Sequence, residues 1–157
     1  MAAEPIDLGA IIEVNEQARA ELMAAIDGIP EDARESVWVG EWRLSDIVAH
    51  LAQAQAGYAE ALEHMAKGDP PAIESWEPGP PHDWNNATIA ARYDRTWDVR
   101  LADLEEAQKR HEDAIRSLPP GPLAPPAPGF VNSAGHERFH TGEIVDQRRE
   151  RSLQWLA

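Results

Sequence analysis

Two histidines, His136 and His140, stand four residues apart in GHERFHTGEIVDQRRE. On a helix that spacing puts both on one face, with Cβ atoms about 6 Å apart, so two imidazoles can reach one metal ion. Ile144 and Gln147 continue the same face, which is therefore expected to point inward. HxxxH is also a common accident, and a pair of partly exposed histidines on a charged helix fits it equally. His50 lies in SDIVAHLAQAQ, three residues after Ile47 and one before Leu51, at the border of an apolar stripe. A buried imidazole needs a hydrogen-bond partner or a metal, so His50 reads either as a core histidine satisfied by a neighbour or as a ligand. Together the three residues make a stronger pattern. One imidazole from one helix and two from another, facing each other, would leave one to three coordination positions open, which is the catalytic rather than the structural pattern.

Several residues stand near these three. Glu143 follows His136 by seven and His140 by three, so it can serve as a fourth ligand, as an acceptor behind a ligand or as a general base. It can equally be a solvated glutamate paired with an arginine. Asp46 precedes His50 by one turn and could orient it, but the helix dipole already explains an acid in the first turn. Trp38 and Trp42 precede the His50 helix, and Trp42 is expected to staple its start against the bundle, with stacking on a ligand as the lesser alternative. Trp76, His82 and Trp84 fall in a long loop that either covers a site mouth or pins itself to the helices. Tyr58, Tyr93 and Trp97 sit at core spacing, and His64 and His111 read as incidental or core-satisfied. The run ARYDRTWDVRLADLEEAQKRHED reads as a solvated face with i, i+4 charge pairs.

These residues require helices to position them. Of 13 prolines, all but two lie in GDPPAIESWEPGPPHDW and LPPGPLAPPAPGF, which read as loop or extended segments. Between them the apolar residues recur at helical spacing. The first helix is expected from about Asp7 to Asp27, with the stripe Ile11, Val14, Ala18, Leu22, Ala25 and Ile26. The second starts just after Trp42 and runs to about Lys67 through Ile47, Leu51, Ala54, Tyr58, Leu62 and Met65. The third runs from about Asn86 to Leu118, capped by Asn85 or Asn86, with Ile89, Tyr93, Trp97, Leu101, Leu104, His111, Ile115 and Leu118 inward. The fourth runs from about Ser133 to Trp155, capped by Asn132 or Ser133. Val37-Trp38-Val39 is too short to read as a strand. Four amphipathic helices bury their apolar faces most economically against one another, so the expected fold is an all-α four-helix bundle with long Pro-rich connections, one domain over residues 1–157.

Composition bounds the partners. With 28 Asp and Glu against 14 Lys and Arg, the formal charge is −14, which repels nucleic acid and anionic membrane at long range. Cations and neutral small molecules are not penalised. No apolar run approaches the roughly 18 residues of a transmembrane span. The N-terminus lacks a basic segment and is not expected to be a secretory signal. The chain has no cysteine, which excludes disulfides, a catalytic thiol and thiolate metal sites, and fits a reducing cytoplasm.

WRLSDIVAHLAQAQ, followed much later by GHERFHTGEI, resembles the DinB-like superfamily, also described as YfiT-like metal-dependent enzymes. The likeness covers nearly the whole chain: a Trp ahead of the second helix, a His about one turn into it, a long third helix, and HxxxH opening the fourth. It implies a four-helix bundle, often a homodimer, with a divalent metal (Zn, Ni or Fe) on His50, His136 and His140. Relatives suggest mycothiol-dependent isomerisation, bacillithiol transfer or metal-assisted hydrolysis. The mycothiol isomerases carry an acid at one ligand position, and His136 departs from that. Ergothioneine-forming sulfoxide synthases place an acid two residues after the last His, whereas Glu143 comes three after. A resistance branch of the superfamily works with little or no metal. The leading expectation is a thiol-dependent transferase or isomerase whose sulfur nucleophile arrives as a low-molecular-weight thiol. The alternatives are a module that binds or sequesters a small toxic molecule, and an interaction domain without metal.

Overall fold

In a computed structural model, residues 7–69, 95–119, 123 and 127–155 are described, without the side chains of 152–155. Asp7 starts the first helix, α1 (Leu8–Ile26), by accepting a hydrogen bond from Ala10 N at 3.1 Å. Gly28, at φ 71°, ends that course, and a single turn, α2 (Glu31–Arg34), follows. Val37–Val39 then forms a strand, β1, paired antiparallel with β2 (Trp42–Arg43). The expectation of no strand is thus corrected. Three residues carry too little alternation to be read as a strand, but Gly40, at φ 56°, turns the chain back so that two short segments pair.

The helix that carries His50, α3 (Leu44–Ala66), begins directly after β2. Asp46 fixes its first turn by accepting from Arg43 N at 3.0 Å and from the Arg43 guanidinium at 2.9 and 2.8 Å. The next described helix, α4 (Trp97–Arg116), starts later than expected. Arg95 and Thr96 are not helical, and the Thr96 hydroxyl caps the helix by accepting from Val99 N. Asn85, Asn86, Ile89 and Tyr93 lie outside the described residues. The end of the second Pro-rich stretch, expected as loop, forms a short helix, α5 (Ala127–Val131). Asn132 then accepts from Ala134 N, and α6 (Ala134–Trp155) runs to the end of the described chain.

These elements form an all-α bundle with one small hairpin. Its closest partnerships are α3 with α4 and α1 with α6. Two apolar clusters hold it together. One gathers Leu22, Ile26, Ile29, Trp38, Leu44, Ile47, Val48, Leu51, Leu104 and Ile144; the other gathers Ile12, Ala59, Leu62, Ala114, Ile115 and Val131. Each fully buried Leu or Ile among them contributes roughly 1.5–3 kcal/mol. A buried polar layer of Asn15, Arg19, Gln55, His111 and Glu137 accompanies them. It corrects the α1 stripe: Ile12, Asn15 and Arg19 face inward, while Val14 is 40% exposed. The reading of the charged run in the third helix as a solvated face is corrected at Arg100, which is buried, whereas His111 is buried as its place in the inward stripe implied. No helix among the described residues is long and apolar enough to cross a membrane.

Candidate metal centre

His50 is held on the inner face of α3 by Ile47, Leu51 and Ala54, which are all buried. His136 and His140 stand one turn apart on α6, with buried Ile144 one further turn along. The three rings converge. His136 Nε2 lies 3.0 Å from His50 Nε2 and 3.1 Å from His140 Nε2. Ring centroids are 4.7–5.1 Å apart with planes close to perpendicular, so the edges and not the faces meet.

The chemistry of this donor set fits a cation. Glu143 Oε1 accepts from His140 Nδ1 at 2.7 Å, which leaves Nε2 of that ring as a lone pair aimed at the other two. One N–H among three ring nitrogens cannot satisfy both short contacts with linear bonds, whereas one ion at the centre satisfies all three. Two imidazole nitrogens about 2.05 Å from one ion lie about 3.3 Å apart at a tetrahedral angle and about 2.9 Å at an octahedral one. The observed spacings fall between these values and suit either geometry. Burial, reinforced by the adjacent rings of His136 and His140, pushes His50 down to about 3. Burial and His140 push His136 down to about 4. Burial also lowers His140, against the opposing pull of Glu143. Burial thus disfavours the charged form of all three rings and favours the neutral form, which is the one that ligates metal.

Trp42 covers this triangle, with its ring 4.9 Å from His50 and 6.3 Å from His140 between centroids. It was expected chiefly as a staple for the helix start; its position on β2 also makes it a wall of the site. Phe139, 65% exposed, flanks His140 at 5.3 Å. The sequence reading did not single out Phe139, although its place between the two histidines was the available signal. Asp46 serves the helix start, as expected. Burial works to raise its pKa, but the hydrogen bonds from Arg43 and Arg100 prevail and hold it below the usual carboxylate range. Trp38 is buried and donates to the Ala33 carbonyl, and Tyr58 lies beside His111 and Phe130, packing as expected. His64 is a surface residue near Glu60. His111, fully buried, donates from Nε2 to the Phe130 carbonyl at 2.7 Å and is a satisfied core histidine. Trp76, His82 and Trp84 lie outside the described residues.

Beside the triangle sits the polar layer that sequence reasoning missed. Arg19 donates from Nε and Nη2 to Glu137 Oε1 at 2.9 and 2.7 Å, from Nη2 to Gln55 Oε1, and from Nη1 to the Leu104 carbonyl at 2.9 Å. Burial raises the Glu137 pKa, while the Arg19 charge pulls it back.

The family model described as "Mycothiol maleylpyruvate isomerase N-terminal domain" matches residues 15–145, a span that contains all three histidines. No curated protein and no solved structure matches the chain. The family falls within the DinB-like superfamily, in keeping with the all-α bundle. Since the match runs over most of its length, the chain belongs to the mycothiol maleylpyruvate isomerase N-terminal domain family.

Proposed function

We propose that the chain is a metal-dependent enzyme acting on a small molecule, with His50, His136 and His140 holding one divalent cation (Zn, Ni or Fe). The convergence of the three rings, with His136 Nε2 at 3.0 and 3.1 Å from the Nε2 atoms of His50 and His140 and all three within 4.8 Å of one another, carries this reading. When bound, the cation would supply the positive charge that lowers the pKa of a thiol or water and polarises an electrophile. Glu143 holds the His140 ring in one tautomer and is a positioning residue rather than a ligand. Trp42 shields one side of the triangle from water.

Family membership favours transfer or isomerisation with a low-molecular-weight thiol of the mycothiol type over hydrolysis. A cysteine-free chain must receive its sulfur nucleophile from outside. In this reading residues 1–157 act as one domain, in a homodimer, in the reducing cytoplasm.

The test is metal analysis of untagged protein together with the His136→Ala variant, followed by turnover assays with and without added mycothiol. About one ion per chain in the parent and none in the variant is expected. An equal metal content in both would overturn the ligand assignment. Ligand retention by metal-free protein would favour a binding module instead.

A further inference from the structure

We propose that Arg19, Glu137 and Gln55 form a positioning network that sets the register of the α1/α6 pair against the α3/α4 pair, and through it the spacing of His136 and His140 from His50. The consequence for metal binding rests on the metal-site reading above; the register itself does not.

The triangle is divided between the two pairs. His50 belongs to α3, whereas His136 and His140 belong to α6, and α3 and α6 touch each other sparsely. Other ion pairs tie helices within a pair. Arg138 meets Glu21 between α6 and α1, and Arg110 meets Glu63 between α4 and α3. The buried Arg19 guanidinium does something different. From α1 it bonds Glu137 on α6, Gln55 on α3 and the Leu104 carbonyl on α4, so one planar group engages all four long helices. Gln55 continues the chain of contacts to His111 Nδ1 at 3.4 Å, and His111 donates to the Phe130 carbonyl.

Two magnitudes show what such a network is for. A buried ion pair is seldom more stabilising than apolar residues of the same size, so stability alone does not account for it. Apolar faces tolerate sliding, whereas a slip of the α1/α6 pair against the α3/α4 pair by one residue, about 1.5 Å, would break the Arg19 bonds to Gln55 and to the Leu104 carbonyl. Metal–ligand distances tolerate only about 0.2 Å. Glu137 is adjacent to His136 in sequence and Gln55 lies five residues after His50, so the network clamps both helices close to the ligands.

The test compares the parent with Arg19→Met/Glu137→Met, which removes both charges at similar volume, and with Gln55→Met, which cuts the links of Gln55 to Arg19 and to His111 and leaves the Arg19–Glu137 pair in place. Two readouts are taken: zinc affinity by competition with a chromophoric chelator, and the spin-label distance distribution between Glu60→Cys and Asp146→Cys. Both label positions are exposed, and the chain has no other cysteine. The expected result is a zinc affinity at least about tenfold weaker and a broader or displaced distribution in both variants. Melting should be unchanged or higher in the double variant. An unchanged distance distribution overturns the proposal whatever the zinc affinity, and so does an affinity within about threefold of the parent. If the parent takes up no zinc, the metal-site reading fails and the distance distribution alone decides the register. If the double variant does not fold, Gln55→Met decides.

Discussion

His136 and Glu137 are consecutive residues whose side chains, one half-buried and one buried, enter two different clusters. Around His136, three ring nitrogens approach one point. Around Glu137, donors and acceptors are matched: the guanidinium of Arg19 faces a carboxylate, an amide oxygen and a backbone carbonyl. The first cluster concentrates lone pairs, and the second neutralises its charges internally. Burial has opposite meanings in the two. In the triangle it holds imidazoles neutral and ready for a cation; in the layer it makes an ion pair directional.

The contrast can be broken most strongly with acid. The folded His50 and His136 stay neutral down to about 3 and about 4, while unfolded histidines protonate near 6.5. The unfolded chain therefore binds more protons through that window, so the stability of metal-free protein is full above pH 6.5 and falls as pH drops toward 4 and then 3. Urea denaturation at pH 7 and pH 5 should show the loss, and His50→Ala/His136→Ala should remove most of it. A slope identical in parent and variant would place the acid sensitivity elsewhere.

The next effect falls on the layer. Arg19→Ala strands the Glu137 charge and should destabilise the fold by about 3–5 kcal/mol in urea at neutral pH. A cost below about 1 kcal/mol would mean that Glu137 finds another partner or sheds its charge. In the triangle, His50→Ala should weaken zinc binding by more than about 100-fold, beyond the range of changes behind a ligand, while the helical circular dichroism is retained. The smallest change sharpens the role of Glu143. Glu143→Gln should weaken zinc binding by about 10-fold to 100-fold without loss of stoichiometry. Loss of the ion altogether would instead make Glu143 a ligand.

The triangle was legible in the sequence because its signal is local. An i, i+4 pair on an inward face, together with a histidine beside an apolar stripe, survives without knowledge of the fold. The four long helices were legible for the same reason, from periodicity and proline punctuation. The polar layer was hidden because it depends on partners far away in sequence. Arg19 looks like a surface residue until Glu137, 118 positions later, arrives beside it. The stripe read from apolar residues alone ran through Ile11 and Val14, whereas the inward face also takes Asn15 and Arg19. Arg100 was misread likewise, since Asp46, its buried partner, comes from α3. The hairpin escaped because its pairing depends on Gly40 more than on any pattern in β1.

The separation of His50 from His136 by 86 positions orders events during synthesis. A nascent chain that has completed α1, α3 and α4 still holds a single imidazole of the three, and the other two leave the ribosome together on the last helix. If the three histidines hold a cation as proposed, its capture would report on completion of the bundle: a chain clipped before α6 docks would lack two of the three rings.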